Sequence, residues 1–142
     1  MSRGYLIDNS AWVRLAQPGI PTERRAAVSD AVAEERVYAS ALLRLEAGYS
    51  AVNGDAHAAL MDRFDRMPNA VIDAAALSRS VDLQSQLARV GHHRVPIVDL
   101  VTIAVAEAND LTVLHYDKDY DVVRDKTDAV AEAEWLAPRG SL

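Results

Sequence analysis

Cysteine is absent from this 142-residue chain, which excludes disulfides, zinc–thiolate centres and thiol nucleophiles. Its six glycines are scattered singly, and no G-x-S-x-G, Walker or G-x-G-x-x-G arrangement forms, so a serine hydrolase or a nucleotide enzyme has little support. The four histidines do not fall at zinc-site spacing. No stretch approaches the roughly 18 uninterrupted apolar residues of a membrane-spanning helix. The N-terminal Met1-Ser-Arg-Gly-Tyr-Leu-Ile-Asp8 reaches only three apolar residues before a carboxylate, too few for a leader peptide, so a cytoplasmic protein is expected. An excess of positive charge is lacking too: the formal net charge is −6, which argues against simple duplex binding through neutralised phosphates. It does not argue against a nuclease whose clustered acids are offset by cations.

Half of the sequence is hydrophobic, enough for a sizeable core, and the length suits one compact domain over residues 1–142. No repeat, low-complexity tract or Pro/Gly/Ser linker divides it. Gly4-Tyr-Leu-Ile-Asp8 reads as a short buried strand, with Asn9 or Ser10 placed to cap a helix over 11–16. A helix over 22–35 follows, with Ala27, Val28, Ala31 and Val32 on one side. Residues 37–39 form a second strand, and Ser40 starts a helix to about residue 52. Further helices are predicted over 56–66, from the cap Asp73 to about residue 90, and over 97–109 behind Pro96. Leu111–Leu114 and Glu134–Leu136 complete a set of strands alternating with helices. Such alternation predicts an α/β sandwich around a mainly parallel sheet, whose ligands sit at the carboxyl ends of the strands.

Most of the acids are expected on solvated helix faces, but a few stand in unusual company. Asp8 follows Tyr5-Leu-Ile7 directly, so a buried strand ends in a charge; a helix cap is the ordinary alternative. Glu46 shares a helical face with Leu42 and Tyr49, where an ion pair with an arginine would also explain it. Asp99 lies in a segment, Val95 to Ala108, whose only other polar residues are Thr102 and Glu107. A helix apolar all round is central and buried, so its early acid faces something specific, the helix N-terminus or a ligand. Asp117 and Asp119 follow a strand in Leu114-His-Tyr-Asp-Lys-Asp-Tyr120; one can cap the next helix and leave the other for chemistry. In a parallel sheet Asp8, Asp99 and Asp117 converge on one edge, with Glu46 reaching in. Carboxylates about 5 Å apart repel by roughly 3 kcal/mol per pair at an effective dielectric near 20. Such a cluster shifts its pKa values or recruits a cation, and oxygen donors suit Mg²⁺ or Mn²⁺.

The ordered set Leu6-Ile-Asp8-Asn-Ser10, Leu43-Arg-Leu-Glu46, Val95-Pro-Ile-Val-Asp99-Leu and His115-Tyr-Asp117-Lys-Asp119-Tyr120 resembles the PIN-domain ribonucleases, specifically the VapC-type toxins of type II toxin–antitoxin pairs. The resemblance runs over nearly the whole chain. It implies a PIN-like three-layer α/β sandwich and an acidic pocket holding one or two divalent ions. It matches Asp8, Glu46, Asp99 and Asp117 to the core acids, Asp119 to an auxiliary one, and Ser10 to a hydroxyl that helps arrange the site. It also implies a cognate antitoxin that blocks the pocket, and a toxin homodimer. Two positions depart from the pattern: Asn9 stands where Thr is common, and His115 where Thr or Ser is frequent. His115 reads as a spectator at the strand end, with a substrate contact or a proton shuttle as alternatives.

The function expected is Mg²⁺-dependent endoribonuclease activity through a metal-activated water. Arg44 and Arg94, with His92 and His93 nearby, are the candidate RNA contacts, each otherwise an ordinary surface residue. Three rivals remain: a catalytically silent PIN-fold binding module, a related DNA nuclease, and a calcium loop. For the loop, Asp117, Asp119, Asp121, Asp125 and Asp128 fall in an EF-hand-like register, but Val122 replaces the required glycine and a strand-like segment precedes it.

Overall fold

In a computed structural model, described for residues 3–142, every strand of the sheet runs parallel to its neighbours. Met1 and Ser2 of the stretch read for a leader lie outside the described residues. Strand β1 (Tyr5–Ile7) leads through α1 (Asn9–Trp12) and α2 (Thr22–Ala33) to β2 (Val37–Tyr38). Helices α3 (Ala41–Tyr49), α4 (Gly54–Asp65), α5 (Ala74–Ala88) and α6 (Ile97–Asn109) follow, then β3 (Thr112–His115), α7 (Asp119–Lys126) and β4 (Ala133–Trp135). The spatial order is β2-β1-β3-β4.

Period-2 alternation sorts the strand residues onto two faces. Leu6 and Val113 enter one core with Leu83 and Leu87 of α5, Ile103 and Val105 of α6, and Tyr120 and Val123 of α7. Ile7 and Leu114 enter a second core with Ala11 of α1, Val28 and Ala31 of α2, Leu43 and Ala47 of α3, and Phe64 of α4. Helices thus cover both faces, giving the expected three-layer α/β sandwich. The α6 segment is the most buried, from Asp99 through Ala106 without interruption, as its uniformly apolar sequence dictates.

Side-chain caps define several helix starts. Ser40 Oγ accepts the Leu43 N–H, Asn53 Oδ1 that of Ala56, and Asp73 Oδ1 that of Ala76. Three local readings change. The first helix begins and ends earlier than residues 11–16, because Asp8 rather than Asn9 or Ser10 supplies its cap, and the chain then turns through Gly19 at φ +99°. The buried face of α3 is Leu43 and Ala47, four residues apart, which turns Tyr49 outward to 92% exposure. In α2, Val28 and Ala31 are buried but Val32 faces outward.

Candidate functional site

The strand order reverses between β1 and β3: the chain leaves β1 toward β2 on one side and returns to β3 on the other. Open parallel sheets leave a crevice outside the carboxyl ends of the strands at such a point. Asp8 is the first residue after β1, and Asp117 is the second after β3. The Asp8 N–H donates to Leu114 O at 3.0 Å, which sets the two strand ends side by side.

Asp8 is buried and heavily tied. Its Oδ2 accepts the Ser10 N–H at 3.0 Å and the Ser10 hydroxyl at 2.6 Å, while its Oδ1 accepts the Tyr120 phenol at 2.7 Å. The Ser10 oxygen in turn accepts the Tyr116 N–H at 2.9 Å, joining the turn after β1 to the turn after β3.

Asp99 is delivered by the first turn of α6 and is 5% exposed. Its Oδ2 is buried with no hydrogen-bond partner among the described residues. Burial first, and then the charges of Asp8, Asp117 and Asp119, push its carboxyl up to about 8, despite the favourable helix N-terminus. Asp117 and Asp119 come from the β3–α7 turn, where Asp117 Oδ1 accepts the Asp119 N–H at 2.9 Å. Asp117 thus does the capping work, and no side chain caps α7 from Lys118. One oxygen each from Asp99, Asp117 and Asp119 lies within 4.8 Å of the others. Glu46, half-buried on α3, is raised above the ordinary carboxylate range by burial, then by Asp8 and Asp117, so it shares their field. All five acids singled out in the sequence therefore face one region, with Asp99, Asp117 and Asp119 closest together.

This group fits a hard divalent cation. It offers only oxygen donors, one of them an unpartnered buried carboxylate oxygen, and its mutual repulsion is relieved by positive charge. The calcium-loop reading fails, because Asp119, Asp121 and Asp125 are carried on the helix α7 and Asp121 accepts from Trp135 Nε1.

The remaining residues separate clearly. His115 is fully buried, its Nδ1 accepts the Asp117 N–H at 3.2 Å, and burial pushes its pKa down. The ring holds the Asp117 turn from inside, its Nε2 is buried without a hydrogen-bond partner among the described residues, and it is no surface contact. Arg44 does not project freely: its Nη1 pairs with Asp65 Oδ1 at 2.8 Å. Arg94, His92 and His93 are exposed in the turn before α6. Tyr120 was quoted in the sequence pattern but given no role. The signal was present: Tyr120 and Val123 are an apolar i, i+3 pair in a helix whose other residues except Val122 are charged, which marks its buried face.

A PIN-domain family profile matches residues 5–126. The chain is 36% identical over 141 residues to Ribonuclease VapC18 of Mycobacterium tuberculosis, covering 97% of this chain and 98% of that protein. It is also 36% identical over 122 residues to Ribonuclease VapC2 of the same species, covering 84% of each. Among solved structures, VapBC-1 from nontypeable Haemophilus influenzae superposes with a TM-score of 0.73 at 12% identity, covering 93% of this chain and 97% of that one. DNA-bound VapBC from Salmonella typhimurium gives 0.71 at 16% identity, covering 96% and 100%. At these identities the structural likeness speaks to the fold.

Proposed function

The chain belongs to the PIN-domain family, and from that membership we propose that it is the toxin ribonuclease of a toxin–antitoxin pair, cutting RNA phosphodiesters with a divalent cation. The observation that carries the metal-dependent part is the convergence of Asp99, Asp117 and Asp119 within 4.8 Å, with Asp99 Oδ2 buried and unpartnered. The relatives named as VapC ribonucleases support the nuclease activity, and the VapBC complexes among the structural neighbours support an antitoxin partner.

Asp99, Asp117 and Asp119, with Asp8 and Glu46 beside them, would hold Mg²⁺, for which Mn²⁺ substitutes. When bound, the cation supplies charge neutralisation, a lowered water pKa and polarisation of the phosphoryl group. The protein's part is preorganisation. Ser10 and Tyr120 fix the plane of Asp8, and His115 and Asp117 fix the turn that carries Asp119. One of these acids would also accept the proton of the attacking water. RNA reaches an acidic chain through local cations at the rim: Arg94 is exposed just before α6, whereas Arg44 must first leave Asp65. A homodimer and an antitoxin that covers the acids complete the proposal.

The test is cleavage of total RNA by the purified protein, with Mg²⁺ or Mn²⁺ and with EDTA. Asp8→Asn and Asp99→Asn should each lower the rate by roughly a hundredfold or more, since loss of one carboxylate removes several kcal/mol of transition-state stabilisation. Undiminished cleavage by both variants sinks the site. A wild-type protein that cuts no RNA with either metal leaves the silent binding module standing, and cleavage of DNA alone leaves the DNA nuclease.

A further inference from the structure

Three donors occupy the carboxylate of Asp8, and their distribution over its two oxygens is uneven. Oδ2 receives two, the Ser10 N–H and the Ser10 hydroxyl, which uses both of its lone-pair directions. Oδ1 receives one, the Tyr120 phenol at 2.7 Å. A single lone-pair direction is left, and it is on the oxygen that Tyr120 holds. Ser10 is local, two residues along the chain, and alone would let the carboxylate swing about its Oδ2 edge. The phenol comes from another element, α7, and its ring has no such freedom: it is 0% exposed. His115 packs against that ring with centroids 4.7 Å apart, and Trp135 packs behind His115 at 5.0 Å. The ring cannot reach solvent or substrate, and its phenol also faces Asp99 and Thr102, so any effect it has on chemistry passes through the acids it holds, Asp8 first among them.

We propose that Tyr120 is a positioning residue of the acidic site, whose phenol locks the Asp8 carboxylate in place beside Asp99, Asp117 and Asp119 and so supports divalent-cation binding there. This rests on the metal-dependent reading above, and it adds a role for a residue that touches neither substrate nor metal. The bond also ties α7, which carries Asp119, to the residue that follows β1.

The test is Mn²⁺ binding to the full chain by titration calorimetry, with Tyr120→Phe set against wild type and against Tyr49→Phe, an exposed tyrosine. Loss of an outer partner of a ligating carboxylate weakens binding by about 10- to 100-fold. Tyr120→Phe should therefore raise the Mn²⁺ Kd by about 10-fold or more, while Tyr49→Phe leaves it unchanged. In RNA cleavage, kcat should fall with KM for RNA unchanged. An Mn²⁺ Kd for Tyr120→Phe equal to or tighter than wild type overturns the proposal while leaving the nuclease reading intact. A wild-type protein that binds no Mn²⁺ overturns both. Should Tyr120→Phe fail to fold, 3-fluorotyrosine at position 120 keeps the ring and the phenol. Its ¹⁹F resonance should move as Mg²⁺ is added to the otherwise wild-type chain, and not in the Asp8→Asn background. A resonance indifferent to Mg²⁺ in a chain that binds Mg²⁺ overturns the proposal.

Discussion

Ser10 and Tyr116 are joined across the two central strand ends: the Tyr116 N–H donates to Ser10 Oγ at 2.9 Å, and that hydroxyl donates onward to Asp8 Oδ2 at 2.6 Å. One small side chain therefore aligns the turn after β1 with the turn after β3, and so sets the spacing between Asp8 and Asp117. Ser10→Ala strands a partly buried N–H and frees one edge of Asp8. The variant should lose about 1–3 kcal/mol of stability, the cost of a buried donor left unpaired. Ser10→Thr, which keeps the hydroxyl, should lose much less. Urea denaturation of both variants checks this; equal stability of Ser10→Ala and wild type would remove the bridge from the account.

The pH response of the metal-free protein follows from Asp99. Its carboxyl is pushed up to about 8 from an ordinary 3.8, by burial and then by the charges of Asp8, Asp117 and Asp119. Between those values the folded chain holds a proton that the unfolded chain has released. By linkage, stability from this group rises as pH falls below about 8 and is complete once pH nears 4, and it is lost as pH rises through about 8. Melting in EDTA should therefore show a higher midpoint at pH 6 than at pH 8.5. Added Mg²⁺ should reverse the order of benefit, raising the midpoint more at pH 8.5, because cation and proton compete for the same carboxylate. A Mg²⁺ increment larger at pH 6 would contradict the placement of Asp99.

What the sequence made legible was what depends on local pattern. The α6 boundaries, the Ser40 and Asp73 caps and the parallel pairing of short apolar strands follow from periodicity, capping chemistry and the alternation of strands with helices. Asp99 stood out because a charge in an apolar helix has no surface to occupy. The tertiary assignments were less legible. Arg44 has an arginine's usual freedom in sequence, and only the α3–α4 packing brings Asp65 to it. Tyr120 was hidden because its partner Asp8 lies 112 positions away. The bond of His115 to a backbone N–H two residues on was not legible either, because that contact depends on how the turn folds.

Arg79 offers a contrast outside the site. Its Nε donates to Glu107 Oε2 at 2.9 Å and its Nη2 to Oε1 at 3.1 Å, a two-pronged bond that ties α5 to α6. Asp82 and Asp128 hold the same guanidinium at 2.6 Å and 2.9 Å. Arg79→Met leaves Glu107, only partly exposed, without its partner and should cost about 1.5–3 kcal/mol, the usual range for a charge-assisted bond. Mn²⁺ affinity of the folded variant should stay at the wild-type value. A drop in that affinity would mean that the α5–α6 contact carries strain into the acidic site.

Asp99→Asn separates the demands of folding from those of chemistry. In the metal-free protein Asp99 is a buried acid facing Asp8, Asp117 and Asp119, with one oxygen lacking any partner among the described residues. Each like-charge neighbour at about 5 Å costs roughly 3 kcal/mol at an effective dielectric near 20, before partial protonation and solvent relieve it. Asparagine keeps the shape and removes the charge. At pH 8.5 in EDTA the variant should be more stable than wild type by about 1–3 kcal/mol, a fraction of that repulsion. The gain should vanish near pH 5, where wild-type Asp99 is already protonated, and with saturating Mg²⁺, which stabilises only the wild type. Cleavage should be lost in Mg²⁺, where the wild type cuts. An Asp99→Asn protein less stable than wild type at pH 8.5 would mean that this carboxylate is held by donors rather than repelled by its neighbours, and a cation would no longer be needed to explain its burial.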